Sequence, residues 1–337
     1  MKILFNCMNS GLANNGGSRT IVRSANTLRK MGHDIIILNT KPIPAYNWDT
    51  IDVPVIAPKT SKNIPEADII IATAYSTVRS TMEASKCRIK AHWIRGYESW
   101  SNTENQIREV FNQPTLKIVN SICMHNKLLE YGVTSEIILP GYDFEELYPT
   151  GLRDVEEKIV IGGLYSEGKK RKSKRTEWIF EAVRNIKEDI DIELVMFGAD
   201  GIPPKDSPVD YFIPNPDIKT KSKIYNICDI WLAPTENDSL HLCAAEAMQT
   251  CCAVVGTDAQ MNGMKDYLFD LDTGIISSNN VKDFENCVRF LIDRPWLRQE
   301  LGNAARSKIL MLGDRKDNMN KLIKYLDNEL ELIYSDS

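Results

Sequence analysis

The residues best suited to chemistry lie in one short segment, 234–248, which reads PTENDSLHLCAAEAM. A strand-like run, Ile230–Ala233, precedes this segment, and an apolar stretch with helical character ends it. The first backbone N–H groups of a helix have no partner within the helix and carry the positive end of its dipole. The strand-to-helix turn around Asp238 therefore predicts a site for a phosphate or diphosphate.

Glu246 is a second chemical feature of this segment. It falls two turns into the predicted helix Leu240–Gln249, among apolar residues. A carboxylate in such a place is costly to bury unless it meets a donor, such as the hydroxyls of a ribose. A purely structural interpretation stays open: Asp238 or Ser239 would be only a helix N-cap, and Glu246 would pair with a basic side chain.

A basic run places six lysines and arginines in the seven positions from Lys169 to Arg175. Taken by itself, such a run is typical of a solvated loop. The chain as a whole has a formal net charge of −5, whereas a protein that binds nucleic acid usually presents a broad basic face. We therefore expect no nucleic-acid partner.

Metal binding is not predicted. The pairs Asp189/Asp191 and Asp270/Asp272 have the spacing of a metal-binding Asp-x-Asp motif, but neither lies near the predicted phosphate site. The eight cysteines lack CxxC spacing and nearby paired histidines, so we expect free thiols that pack as small apolar groups.

The elements that must position these residues alternate between strand-sized apolar runs and helix-period segments, which favours parallel α/β sheets. The strands predicted in the first half are Ile3–Cys7, Asp34–Leu38, Ile69–Ala72, Lys90–Ile94, Leu116–Asn120 and Glu136–Leu139. Those predicted in the second half are Ile159–Ile161, Glu193–Phe197, Tyr211–Ile213, Ile230–Ala233 and Ala253–Gly256. The predicted helices are Arg19–Met31, Thr176–Ile186, Thr220–Ile227, Leu240–Gln249, Val281–Leu291 and Arg298–Leu310.

This alternation predicts two Rossmann-like domains, at 1–146 and 147–313, with a last helix at about 314–337 that packs back on the first domain. Ligands of open α/β sheets bind beyond the carboxyl ends of the strands, so we expect facing strand ends to line a cleft. The first strand is followed by no GxGxxG, and no GxxxxGK[ST] occurs, which disfavours a dinucleotide dehydrogenase and a P-loop NTPase.

The segment 234–248 resembles the C-terminal signature of retaining, nucleotide-sugar-dependent glycosyltransferases of the GT-B fold. That signature is an acid, seven residues, Glu-Ala-Met and then a strand, which Asp238, Glu246-Ala247-Met248 and Ala253–Thr257 match. Other matching pieces are Gly16-Gly17, Ala25–Leu28, Gly32-His33, Ser121, Leu128, Gly132, Pro140–Asp143, Phe197–Gly201 and Ile227–Ile230. Their order and spacing make the resemblance specific over nearly the whole chain.

The resemblance implies that Glu246 holds the ribose of the donor and that Asp238 lies against the transferred sugar, with Glu236 as a competing candidate. Relatives usually have Glu at the position of Asp238, which is one methylene shorter. They also tend to have glycines after this acid, whose amides hold the diphosphate. The residues at this place here are Ser239, Leu240 and His241.

Relatives further place an arginine and a lysine after the first strand of the second domain, where they neutralise the diphosphate. Lys174 has the usual lysine position, and Gly163 stands at the usual arginine position. The residues that could replace that arginine are Arg171, Lys172 and Arg175. Neutralising the leaving diphosphate is the electrostatic contribution expected to matter most.

In the first domain, the resemblance points to the glycine pair Gly16-Gly17 and to Arg95 and Glu98 at the end of a strand. Glycine permits close approach of the backbone to a ligand, although a plain turn would explain one glycine as well. Arg95 and Glu98 are expected to face the site, the alternative being a salt-bridged loop.

The sequence thus predicts an enzyme that transfers a sugar from a nucleoside diphosphate sugar to a hydroxyl of a glycan or lipid-linked saccharide. The resemblance implies retained configuration. From the position of the Asp-x-Asp pairs we expect no obligatory metal, and we expect no cofactor besides the nucleotide sugar as co-substrate. Alternatives left open are a non-catalytic nucleotide- or sugar-binding protein of the same fold, and a phosphorylase or epimerase. No export signal or apolar run of about 18 residues is present, so we expect a cytoplasmic protein. Peripheral association with the inner membrane face stays open.

Overall fold

The computed structural model describes residues 1–41, 46–99, 101–151, 158–199 and 201–335, without the side chains of 169–171 and 334. The chain divides into two compact units. The first unit combines Met1–Gly141 with Gly313–Ser337, and the second is Tyr142–Leu312. The predicted boundary, after residue 146, falls a few residues beyond the one that the structure places after Gly141.

Parallel strands and flanking helices build both units. The strands are β1 (Lys2–Asn6), β2 (Asp34–Leu38), β3 (Val55–Ile56), β4 (Ala67–Ala72), β5 (Cys87–Ile94), β6 (Leu116–Val119), β7 (Glu136–Ile137), β8 (Ile159–Leu164), β9 (Ile192–Gly198), β10 (Tyr211–Pro214), β11 (Ile230–Ala233), β12 (Asn237–Asp238), β13 (Ala253–Thr257), β14 (Met261–Asn262) and β15 (Ile275–Ser277). The helices are α1 (Gly16–Lys30), α2 (Val78–Met82), α3 (Glu104–Phe111), α4 (Ile122–Leu129), α5 (Lys169–Lys174), α6 (Thr176–Ile186), α7 (Ile218–Ile227), α8 (Leu242–Gln249), α9 (Val281–Ile292), α10 (Pro295–Met311) and α11 (Arg315–Ser335). Short 3₁₀ turns lie at Ser61–Asn63, Tyr75–Thr77 and Gly263–Asp266.

The sheet of the first unit has the strand order β3-β2-β1-β4-β5-β6-β7, with every pair parallel. β1 is buried from Ile3 onward, as parallel strands are when helices cover both faces. α1 begins at Gly16 because the side chain of Asn15 accepts the N–H of Ser18 and caps the helix.

The last helix, α11, also packs in the first unit. Its apolar residues Met319, Leu322, Leu326 and Leu330 recur at three- and four-residue steps, so they form one face of the helix. All four lie in the core cluster that contains β1 and α1. None of the helices in the described part of the chain combines the length and the apolar character that a membrane span requires.

The second unit has a parallel sheet ordered β10-β9-β8-β11-β13-β15 and a separate two-stranded pair of β12 and β14. Its core is formed by apolar side chains of β8, β9, β11, α6 and α9. Gly163 lies within β8, where an added Cβ would come within 3.1 Å of Ile179 and 3.3 Å of Met196. Close packing against Ile179 and Met196 therefore explains why this position has a glycine.

Candidate functional site

The segment that follows β11 forms a tight loop before α8. Asn237 and Asp238 make up β12, which pairs with β14, and α8 begins at Leu242, two residues later than predicted. An added Cβ at Gly263 would collide with the backbone carbonyl of Ser239, so the loop depends on glycine at this point. Because α8 begins late, Glu246 is the fifth residue of the helix, about one turn in.

Asp238 is held by a lysine and by two backbone amides. Its Oδ2 forms an ion pair with the Nζ of Lys174, and each side chain is only about one-fifth exposed (22% and 21%). Its Oδ1 accepts the N–H groups of Leu240 at 3.2 Å and His241 at 3.1 Å. Burial alone would raise the pKa of Asp238, but Lys174, His241 and these hydrogen bonds together hold it well below its usual range.

Two residues of the basic run, Lys174 and Arg175, contact acids of the segment after β11. The run forms the short helix α5 rather than a loop, and the Ser173 carbonyl accepts the N–H of Glu236 at 2.8 Å, which ties α5 to the segment after β11. Arg175 adopts a left-handed backbone with φ 51° between α5 and α6. Its guanidinium pairs with Glu236 at 3.2 Å and lies 4.2 Å from the ring centre of Trp178.

The other candidates of the basic run are placed differently. Lys172 is exposed, and the side chain of Arg171 lies outside the described residues. Of the three candidates for the missing arginine, Arg175 is the one for which the described side chains show a contact with an acid of segment 234–248, namely Glu236. The assignment of an arginine role stays a prediction.

Glu246 is buried, at 9% exposure, and has partners on α7. Its Oε2 accepts the hydroxyl of Tyr225 at 2.7 Å and the Nζ of Lys221 at 3.3 Å. The Lys221 ammonium also lies 5.2 Å from the ring centre of Phe197. A basic partner for Glu246 is what the structural interpretation expects, and the ribose role stays a prediction.

Sequence reasoning missed Lys221 and Tyr225. Because they are four residues apart, they lie on the same face of α7, and both are buried. A lysine on the buried face of a predicted helix is a signal for a buried carboxylate partner.

His241 caps α8, so the N-cap role that the alternative structural interpretation gave to Asp238 or Ser239 is wrong. The Nδ1 of His241 accepts the N–H of Ala244 at 3.2 Å, and the residue adopts a left-handed backbone with φ 55° and ψ 63°. Burial first, and then the positive charge of Lys174, lowers the pKa of His241 to about 4. Sequence reasoning missed this role because Ser, Thr, Asp and Asn are the usual N-caps.

Tyr267 also supports the loop before α8. Its hydroxyl lies 2.8 Å from the carbonyl oxygen of Leu240 and 2.9 Å from that of His241. These contacts fix the backbone at the point where the chain enters the helix, and Tyr267 is another residue that no sequence motif indicates.

The four candidates of the first unit lie near one another. Gly16 begins α1, and the Nη1 of Arg95 donates to the carbonyl of Gly17. The Nη2 of Arg95 donates to the carbonyl of Thr73, just after β4, at 2.7 Å. The Oε1 of Glu98 accepts the N–H of Tyr75 at 2.9 Å, and burial raises the pKa of Glu98. Arg95 thus connects the end of β4 with the start of α1, and Glu98 binds the first residue of the turn Tyr75–Thr77 that follows β4.

The Asp-x-Asp pairs have contacts of their own. Asp189 pairs with Arg289 at 2.9 Å, and Asp191 pairs with Lys158 at 2.6 Å. Asp270 accepts the N–H of Ile276 at 2.9 Å. In the described residues, no group of three or more His, Cys, Asp or Glu side chains is arranged to hold a metal ion, and the eight cysteines are free thiols.

Residues 159–294 match the family model of Glycosyl transferases group 1. No curated protein sequence matches the chain. Among solved structures, HepE of Anabaena in complex with UDP-glucose has a TM-score of 0.80 at 13% identity, over 97% of this chain and 100% of that chain. Sucrose-phosphate synthase of Thermosynechococcus elongatus has a TM-score of 0.79 at 12% identity, over 100% of both chains. A glycosyltransferase of Rickettsia africae ESF-5 has a TM-score of 0.75 at 17% identity, over 97% of this chain and 98% of that chain.

The predicted GT-B fold is confirmed by these structures, and the predicted enzyme class, a glycosyltransferase, is confirmed by the family match. The matched segment, 159–294, contains Lys174, Asp238, His241 and Glu246. The site built from the residues of the second unit is therefore the candidate site for the sugar donor.

Proposed function

We propose that this protein is a retaining glycosyltransferase that moves a sugar from a nucleoside diphosphate sugar to a hydroxyl of a glycan or lipid-linked saccharide. The proposal rests mainly on the position of one ion pair. In the segment that matches the glycosyltransferase family, Lys174 and Asp238 form an ion pair directly before the amino end of α8. A cation beside the positive end of a helix dipole favours a bound diphosphate.

In the proposed reaction, the acceptor oxygen forms a bond to the anomeric carbon while the bond from that carbon to the phosphate oxygen breaks. The attack comes from the same face as departure, and the leaving phosphate takes the proton of the acceptor hydroxyl. The nucleoside diphosphate gains negative charge as it leaves, so Lys174 would stabilise the transition state more than the bound donor. Asp238 would lie against the sugar, and no protein nucleophile is required.

Glu246 would accept the hydroxyl groups of the ribose. Lys221 and Tyr225 support this role, because a positive charge and a hydroxyl donor favour the ionised carboxylate that can accept them. The first donor to test is a uridine diphosphate sugar, since HepE has been crystallised with UDP-glucose. We also propose a cytoplasmic location, with peripheral association at the inner membrane face only where the acceptor is lipid-linked.

The test is incubation with a panel of nucleoside diphosphate sugars, with release of the nucleoside diphosphate and the anomeric configuration of the product as readouts. We expect turnover with at least one donor, an unchanged anomeric configuration, and full activity in EDTA. Loss of activity in EDTA with recovery on addition of Mn²⁺ or Mg²⁺ contradicts the metal-independent mechanism. Binding of donors without any turnover supports the non-catalytic alternative instead.

A further inference from the structure

The predicted roles at the donor site do not use the side chain of His241. The resemblance predicts that its backbone amide holds the diphosphate. In the structure that amide donates to Oδ1 of Asp238 at 3.1 Å. The left-handed backbone of His241, with φ 55°, is one that glycine adopts freely and that a residue with a Cβ adopts rarely. The imidazole is therefore present at a position where glycine would be the easier choice.

The hydrogen bonds of His241 define where its ring proton lies. Nδ1 accepts the N–H of Ala244, so it carries no proton, and the neutral ring is protonated on Nε2. With its pKa lowered to about 4, the ring is neutral at physiological pH. His241 is only 3% exposed. Its Nε2–H donates to no residue in the part of the chain that the structure describes.

His241 is buried as a residue, and its Nε2–H has no acceptor in the described part of the chain, so a ligand atom can complete its bonding. Two further features indicate a negatively charged ligand atom. His241 is the N-cap of α8, an eight-residue helix whose amino end carries positive partial charge. Lys174, the cation of the donor site, is also close enough to lower the pKa of His241.

We propose that His241 is a phosphate-binding residue whose Nε2–H donates to a phosphate oxygen of the nucleoside diphosphate. This inference rests on the proposed function and adds to it a side-chain contact in place of the predicted backbone contact. A neutral donor suits this place, because it binds the anion without adding a buried charge beside Lys174.

The test compares two variants of His241 by titration calorimetry with the nucleoside diphosphate, UDP being the first one tried. His241→Gly removes the ring and relieves the left-handed backbone. His241→Asn keeps a residue that tolerates this backbone and a side-chain oxygen that can accept the N–H of Ala244. If His241 acted only as a helix cap, Asn would restore binding. We expect both variants to bind the diphosphate roughly tenfold to a hundredfold more weakly, as for the loss of a hydrogen bond to a charged group.

Leu271→Gly is the matched control, because Leu271 also has a left-handed backbone, with φ 56°, but is 62% exposed. It should bind as the wild type does. Circular dichroism verifies folding, and if His241→Gly does not fold, His241→Asn decides the question.

Wild-type affinity in His241→Asn overturns the inference and leaves the proposed function intact. If the wild-type protein binds no nucleoside diphosphate of a panel that includes UDP, GDP and ADP, the proposed function fails and the inference fails with it. These two failures are distinguished by the wild-type titration alone.

Discussion

Lys174 and Asp238 form an ion pair although they are 64 residues apart in the chain. The lysine is the last residue of α5, and the aspartate is the last residue of β12. A ligand-free Lys174 thus has its charge compensated by the same carboxylate that also accepts two amides of the loop before α8. Binding of a diphosphate would bring a second anion to this lysine, in competition with the Asp238 carboxylate.

Replacing Lys174 by alanine should lower kcat more than it raises KM for the donor. The lysine would act on charge that develops as the diphosphate leaves, so its loss should cost about 3 kcal/mol of transition-state stabilisation, or roughly a hundredfold in kcat. Steady-state kinetics with the donor found in the panel measures this. Lys223→Ala is the control, because Lys223 is exposed on α7. Equal kinetics for the two variants would mean that the diphosphate is neutralised elsewhere, with Arg175 the next residue to test.

Replacing Asp238 by asparagine should tighten nucleoside diphosphate binding while it reduces sugar transfer. The variant removes the anion that compensates Lys174, so an incoming diphosphate meets an uncompensated cation; we expect about a tenfold lower Kd. Calorimetry for binding and product assay for transfer give the two readouts. Glu236→Gln should leave transfer largely intact, because Glu236 pairs with Arg175 and its side chain is 58% exposed. Loss of transfer in Glu236→Gln with retention in Asp238→Asn would exchange the roles of the two acids.

Replacing Lys221 by methionine should destabilise the fold, because it removes the cation that pairs with the buried Glu246 carboxylate. Breaking a buried ion pair on one side costs about 3 kcal/mol or more. Urea denaturation measures the free energy of unfolding, and nucleoside diphosphate affinity should fall in the same variant since Glu246 loses its orientation. Lys223→Met, two residues further along α7 and exposed, provides the matched control. Stability equal to that of the control would show that the ion pair contributes nothing.

The free energy of unfolding should fall between about pH 6.5 and pH 4, in part because of His241. Its folded pKa of about 4 lies below the ordinary 6.5, so unfolding takes up a proton in this range. The contribution is complete above pH 6.5 and is lost as the pH falls through about 4. Each pH unit is worth about 1.4 kcal/mol, so the loss reaches about 3 kcal/mol.

Urea denaturation of the wild type and of His241→Asn at several pH values isolates this contribution. Asp238, whose pKa is also lowered, adds a loss at lower pH in both proteins. Buried His92, with a pKa lowered to about 3, adds a loss from about pH 6.5 down to about 3 in both proteins, so it cancels in the comparison. Lys174, Asp238 and Glu246 are the charged groups that act on His241. An identical pH dependence in the two proteins would contradict the assignment of a neutral buried ring.

The sequence predicts helices and strands well where the spacing of their apolar residues shows which side of the element is buried. Thr176–Ile186 and Ile230–Ala233 are observed with the predicted bounds, because helical and strand periodicity shows directly which residues are buried. The two-residue strands β12 and β14 were not predicted, since such short pairs have no periodicity and depend on a partner elsewhere in the chain.

At the site, residue types could be predicted but not their partners. The signature identified Asp238 and Glu246, yet the partner of Glu246 is set by how α7 packs against α8. The left-handed backbone of His241 likewise results from a loop that is held by Tyr267 and by the close approach at Gly263. Such contacts between distant segments carry no local pattern, so only the three-dimensional structure reveals them.

The discontinuity of the first unit has a consequence for biosynthesis. Residues that complete its core, on α11, leave the ribosome only after all of the second unit has been made. The second unit is continuous in sequence and can fold while synthesis proceeds, whereas the first must keep the α1 surface uncovered until the last helix emerges. A nascent chain arrested at Leu312 should therefore recruit chaperones that bind exposed apolar surface, and release from them should coincide with the appearance of α11.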